Sequence, residues 1–216
     1  IMIPKNFLSL SKKGFINLHA SALPKWRGAA PIQRSIMSQD KETGISVMKI
    51  NEKLDEGDIS HIFKIKIDEN ENAESLSERL SILASEKISE VIDNILDKEA
   101  VFKPQDHSKA TYAEKIKKTE GLIDWKDKAE NIIGKINGLF PYPGGYFIYK
   151  GERYKILKAK ISFNKNQPGI VLSSDLEISC GENSIKILEI QKEGKNKLNV
   201  ENFLIGNGFK KGTKLN

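Results

Sequence analysis

The sequence predicts two units in tandem, an α/β unit built on an open sheet and then a small all-β unit of barrel or sandwich type. Three observations carry this reading. In the first hundred residues, runs that alternate apolar and polar residues are interleaved with runs whose apolar residues recur every three or four positions, the periods of strand and helix. From Lys103 to Glu120 the chain is polar without a clean period (KPQDHSKATYAEKIKKTE), which reads as a linker. Beyond Tyr146 come about five short strand-like runs separated by tight turns, the pattern of a small barrel, OB-like among the possibilities. The expected organisation is therefore 1–102, a linker over 103–120, and 121–216.

Residues 1–13 join an apolar start and Pro4 to Phe7-Leu8-Ser9-Leu10, a short turn and helix. Ile16-Asn17-Leu18-His19 then alternates with period two, so Asn17 and His19 share one strand face and Ile16 and Leu18 the other. Pro24, Trp26 and Gly28 break the strand. Pro31 suits the first position of a helix that turns Ile32, Ile36 and Met37 inward. A strand is expected over 45–50, an acidic turn at Leu54-Asp55-Glu56-Gly57-Asp58, and a strand over 59–67 with Ile59, Phe63, Ile65 and Ile67 on one face. Residues 73–97 give the clearest helix, with Leu76, Leu80, Leu83, Val91 and Ile95 forming a stripe that covers a sheet. A further helix over 124–140 turns Ile132, Ile133, Ile136 and Leu139 to one side and ends at Pro141-Tyr142-Pro143-Gly144-Gly145. Strands follow over 146–150, 153–161, 169–172, 176–180 and 184–190.

Composition sets the class. With 38% hydrophobic and 30% charged residues in 216, the chain can bury real cores and is far from a disordered polymer. No apolar run nears the roughly 18 to 20 residues that span a bilayer, and no secretory leader is evident. The single cysteine, Cys180, excludes an internal disulfide and fits a reducing compartment. The expectation is a cytoplasmic protein without a membrane span. The net charge of +6 is concentrated: residues 1–149 hold 22 basic and 22 acidic side chains, residues 150–216 hold 13 and 7. A local positive excess suggests an anionic partner, nucleic acid first. Against that, only four of the 35 cations are arginines, and scattered lysines are commonly no more than a solvated surface.

Asn17, His19 and an acidic turn about 36 residues later make a set suited to acyl transfer. An amine attacking a formyl or acyl carbon generates an oxyanion and must lose a proton. An imidazole exchanges protons near neutral pH, an amide N–H holds an oxyanion without changing charge, and a carboxylate orients the imidazole. Asn17, His19 and Asp55 fit these tasks, although spacing alone does not choose Asp55 over Asp58. Taken one at a time, each residue is more readily read as a structural group at a strand end or turn. His19, His61 and His107 lack metal-site spacing with one another or with Cys180. No GxGxxG, P-loop or GxSxG pattern occurs.

INLHASALPKWRGAAPIQRSI followed by ETGISVMKINEKLDEGDI closely resembles the methionyl-tRNA formyltransferases of the folate-dependent formyltransferase superfamily. The N-L-H-x-S-x-L-P core and the L-D-x-G-D-I turn belong to the superfamily, and R-G-A-A-P-I narrows the resemblance to the tRNA enzymes. KPQDHSKATYAEKIKKTEGLIDW and FPYPGGYF resemble that family's linker and C-terminal domain. The resemblance implies a Rossmann-like formyltransferase domain followed by a C-terminal, OB-like β-barrel that contacts tRNA. It implies 10-formyltetrahydrofolate as formyl donor, initiator methionyl-tRNA as acceptor, no metal, and a monomer. Carried over residue by residue, it makes Asn17, His19 and Asp55 catalytic, choosing Asp55 over Asp58, and places the folate near Ile3 and Pro4 and near Ile50, Leu54 and Gly57. By the same resemblance the chain begins late, so the expectation is a catalytic domain without its leading strands, inactive if the polypeptide starts at Ile1. Two departures from the family pattern are Ala22, where leucine is usual, and Glu56, where threonine is common. The resemblance leaves as alternatives a sugar-nucleotide N-formyltransferase, a formyl-folate hydrolase and a non-catalytic RNA-binding remnant.

Overall fold

Strand β3 (Glu42–Lys49) is the spine of the first unit. Every residue from Thr43 to Met48 is buried, as expected of a strand covered on both faces. In the computed structural model, which describes residues 5–8, 10, 11, 14–97, 99–206 and 208–215, the chain forms two compact units. One comprises 1–35, 40–69 and 75–115, the other 36–39, 70–74 and 116–216.

In chain order the first part contains α1 (Lys5–Leu8), β1 (Ile16–His19), β2 (Arg27–Gly28), α2 (Pro31–Met37), β3, β4 (Ile59–Lys66), α3 (Ala73–Leu96) and β5 (Tyr112–Ala113). β3 lies between β1 and β4, and both pairings are antiparallel. His19 stands opposite Ser46 and Asn17 opposite Met48. The β3–β4 register slips between Val47 and Met48, a bulge of the kind that re-aims a strand beside a site. The acidic turn closes between these strands, with the Lys49 N–H donating to the Asp58 carbonyl. Helix α3 follows the expected stripe: Leu76, Leu80 and Val91 are buried, and Leu83 and Ile95 are half-buried.

The stretch expected to be a linker begins within the first unit, which runs on to Lys115. Lys103 bridges Ile59, Gln105 is buried, and Tyr112–Ala113 pairs in parallel with Arg27–Gly28. Gln105, His107 and Thr111 find partners elsewhere in the unit, so a lack of apolar period did not mean a lack of structure.

The second unit contains α4 (Ala129–Gly138), β6 (Gly145–Tyr149), β7 (Glu152–Ser162), β8 (Glu177–Ser179), β9 (Ser184–Lys192), β10 (Leu198–Asn199) and α5 (Val200–Gly206). The sheet runs β10-β9-β7-β6, with β8 also on β9, all antiparallel. The expected closed barrel is instead an open half-barrel. Its core is completed by helices rather than by strand pairing. Ile132 and Ile136 of α4 and Phe203 of α5 join Phe147, Ile156, Ile178, Ile185 and Ile187 in one cluster. Phe147, Tyr154, Phe203 and Phe209 interlock, with neighbouring ring centroids 5.4 to 6.0 Å apart. Residues 169–172, expected as a strand, make only isolated bridges, Ile170 to Lys214 and Val171 to Ile178. The helix expected from residue 124 starts at Ala129, and α5 was not expected. Burial pushes the Cys180 thiol up to about 12, which leaves it inert as a nucleophile. Among the described residues, no helix is long and apolar enough to cross a membrane.

Candidate active site

The end of β1 delivers His19 into the first unit with 6% of its side chain exposed. The ring is engaged on both sides. Nε2 lies 2.8 Å from the Trp26 carbonyl, and since a carbonyl only accepts, Nε2 carries the hydrogen. Nδ1 then faces Asp55, 3.6 Å from Oδ2. Nδ1 is thus the nitrogen left to gain or lose a proton, with a carboxylate beside it to offset the charge of the imidazolium.

The loop after β1 is shaped to present the Trp26 carbonyl. Ser46 of β3 accepts the Leu23 N–H at 2.9 Å and donates to the Ser21 carbonyl at 2.7 Å. The Trp26 N–H donates to Thr111 Oγ1 at 2.9 Å, and its indole N–H donates to Asp40 at 2.7 Å. These bonds hold Trp26 at a φ of 63°, a left-handed conformation that costs an L-residue about 1 to 2 kcal/mol.

Asp55 is held as tightly. It also has a left-handed backbone, with φ 51°, and its Oδ2 accepts the Gly28 N–H at 2.8 Å. Gly28 itself has φ 121° and presses on β5: a Cβ there would sit 2.6 Å from the Ala113 carbonyl oxygen. Only glycine lets this backbone reach the carboxylate from that position. Asp55, not Asp58, turns its carboxylate to His19; the Asp58 carbonyl closes the turn onto Lys49.

Asn17 lies on the His19 face of β1, half-buried. Among the other expected site residues, Leu54 is 50% exposed beside Asp55, and Ile50 is half-buried with its N–H on the Phe15 carbonyl. Gly57 packs so closely on β3 that a Cβ would collide with the Lys49 carbonyl, so its requirement for glycine is met by packing. Ile3 and Pro4 lie outside the described residues.

The sequence reading missed the groups behind Asp55. Arg27, 1% exposed, donates from Nε and Nη2 to Gln105 Oε1 at 3.1 and 2.7 Å. Its Nη1 lies 3.4 Å from Glu56, and Nη2 lies 3.2 Å from His107 Nδ1. The Gln105 amide donates to the carbonyls of both Asp55 and Gly57 at 2.8 Å. Glu56, the departure at the acidic turn, thus has its charge matched by Arg27 and, at 3.6 Å, by Lys53.

Residues 1–92 match the family described as Formyl transferase, and residues 115–208 match Formyl transferase, C-terminal domain. A methionyl-tRNA formyltransferase of Pelagibacter ubique is 59% identical over 99% of this chain, which covers 69% of that protein. The structure of a methionyl-tRNA formyltransferase from Clostridium thermocellum superposes with a TM-score of 0.57 at 26% identity, over 76% of this chain and 70% of that one. A sugar 3N-formyl transferase, WlaRD, crystallised in the presence of dTDP and 5-N-formyl-THF, superposes with a TM-score of 0.69 at 22% identity, over 84% and 66% of the two chains.

Proposed function

The chain belongs to the formyl transferase family, among the methionyl-tRNA formyltransferases, and from that premise we infer that it passes the formyl group of 10-formyltetrahydrofolate to the α-amino group of methionine on initiator tRNA, readying that tRNA for translation initiation. Formyl transfer to methionyl-tRNA follows from the relatives; the identity of the donor and the roles of the residues are our reading. A single observation carries those roles: an imidazole with one nitrogen fixed by the Trp26 carbonyl and the other facing a carboxylate that is itself fixed by the Gly28 N–H.

The amine nitrogen attacks the formyl carbon, forming the new C–N bond and a tetrahedral oxyanion. Asn17, whose side-chain amide has no partner among the described residues, supplies the N–H that holds this oxyanion. His19 accepts the proton lost by the amine at Nδ1, and Asp55 offsets the resulting positive charge. Collapse of the intermediate breaks the bond to N10 of the folate, and the proton passes to that nitrogen, so the imidazole ends as it began. The half-exposed Leu54 and neighbouring Ile50 offer apolar surface for the flat ring of the donor. The second unit, with its 13 basic against 7 acidic side chains over 150–216, is the reading's contact for the tRNA backbone. The enzyme acts as a monomer in the cytoplasm.

The test is His19→Ala assayed for formyl transfer to methionyl-tRNA. A fall in kcat of about 10² to 10⁴ is expected, with KM for the tRNA nearly unchanged. Activity within about threefold of the parent enzyme would refute the assignment.

A further inference from the structure

The residues behind Asp55 form a closed circuit that the reaction scheme does not use. We propose that Gln105 is a positioning residue for Asp55, and that the buried Arg27 dictates which way the Gln105 amide points. This rests on the reading of Asp55 as the carboxylate of the reaction.

A glutamine amide has nearly the same shape in either orientation, so its environment must choose. Arg27 has five N–H donors and no acceptor, and two of them meet Oε1 of Gln105. The flipped amide would set N–H against N–H at Arg27 and oxygen against two carbonyls at the turn. The guanidinium therefore sends both N–H groups of Gln105 to the turn, where one meets the Asp55 carbonyl and the other the Gly57 carbonyl. Those carbonyls bracket the three-residue arc that carries the carboxylate.

Glu56, in the middle of the arc, reaches the same guanidinium with its side chain. Gly28, the residue after Arg27, holds the carboxylate itself. One buried arginine and its neighbour thus fix the arc by backbone, by side chain and by reacting group. Gln105 and Arg27 are both buried, with 6% and 1% exposed, so water cannot replace these bonds cheaply. The backbone of Asp55 is left-handed, a conformation that persists where its surroundings over-determine it. Without the clamp the arc is free to relax, and a displacement of about 1 Å at a reacting group costs on the order of a hundredfold in rate.

The experiment measures steady-state formyl transfer and melting temperature for Gln105→Glu, Gln105→Leu and Asp55→Asn in the purified enzyme. Gln105→Glu keeps an oxygen for Arg27 but turns the two donors into an acceptor facing two carbonyls. In the folded variant kcat is expected to fall about ten- to a hundredfold, with KM for tRNA and for donor within about twofold. Gln105→Leu removes both halves of the bridge and should fall at least as far; if it does not fold, Gln105→Glu carries the same test. A folded Gln105 variant with lowered melting temperature and kcat within about twofold of the parent would make the role structural only and overturn the proposal. Asp55→Asn separates the two readings. If it keeps full activity, the assignment of Asp55 fails and takes this inference with it. If it is inactive while the Gln105 variants are fully active, only the inference fails.

Discussion

Replacing Gly28 with alanine separates the hydrogen bond on Asp55 from the general stability of the first unit. The new Cβ would lie 2.6 Å from the Ala113 carbonyl oxygen, whereas ordinary contact begins at 3.4 Å. The obstacle is backbone, so β2 must retreat from β5 by about 0.8 Å or the pairing must open. Carried along the N–H···O axis, that retreat takes the 2.8 Å bond to Asp55 past about 3.5 Å, where it ceases to be a hydrogen bond. Two costs follow. Alanine at a φ of 121° strains the fold by about 1 to 3 kcal/mol. Loss of a charge-assisted bond to a half-buried carboxylate frees that carboxylate to leave His19, with a loss of about 1.5 to 3 kcal/mol. The second cost falls on the reaction and corresponds to a kcat reduced by about ten- to 150-fold. The first appears as a melting temperature lowered by about 2 to 12 °C for a chain of this size. The assay is steady-state formyl transfer beside thermal unfolding of the same preparation. A Gly28→Ala enzyme that melts earlier yet keeps kcat within about twofold would refute the reasoning, because strain would then be present without displacement of Asp55.

Two further outcomes can be read from the structure. Glu56→Thr removes an acidic partner of a fully buried guanidinium; because Glu56 is itself 20% exposed, the cost is discounted to about 1 kcal/mol, or about 2 to 4 °C in melting temperature. A melting temperature above that of the parent would contradict the pairing. In the second unit, burial opposes ionisation of Glu177, but hydrogen bonds from Ser184, Ser162 and Asn164 prevail and hold its carboxyl below the ordinary value. The stability it contributes is present above the unfolded pKa of about 4.3 and is lost as pH falls through the lower folded value. Glu177→Gln should therefore flatten the acid limb of melting temperature against pH between about 5 and 3, and a limb as steep as the parent's would count against this role.

The elements legible in the sequence are those whose burial repeats. α3 carries Leu76, Leu80 and Val91 buried and Leu83 and Ile95 half-buried on one stripe, and β3 carries six buried residues in a row, Thr43 to Met48, so each repeats its signal often enough to survive a few exceptions. α5 does not: it is seven residues long and buries only Val200 and Phe203, too few to define a period. Closure of a barrel is a property of partners rather than of periods. The longer strands of the second unit, β6, β7 and β9, carry much of the alternation expected of a barrel strand, and nothing in that alternation says that helices rather than a final strand pair complete the core.

The site divides in the same way. Asn17 and His19 were legible because strand parity alone puts them on one face. Asp55 needed a resemblance to be chosen over Asp58, since what distinguishes them is a Gly28 N–H 27 residues away. Gln105 lay hidden in a polar stretch, 78 residues from the arginine that orients it. Yet one signal for that circuit was present. In a chain where 31 of 35 cations are lysine, an arginine stands where lysine will not serve, because only a planar fork of donors fits the partner. Three of the four arginines use that fork, and the fourth, Arg153, uses its flat face. Arg27 forks onto Gln105, Arg34 places two of its nitrogens on the Glu114 carbonyl, Arg79 pairs with Asp68 while donating to the Lys66 carbonyl, and Arg153 lies 3.7 Å over the Tyr146 ring. Only Arg27 among them is fully buried, and it is the one next to the backbone N–H that holds Asp55. In a lysine-biased sequence the rare arginine beside a glycine loop is therefore the place to look for the scaffold of a site, before the polar residues that complete it can be found.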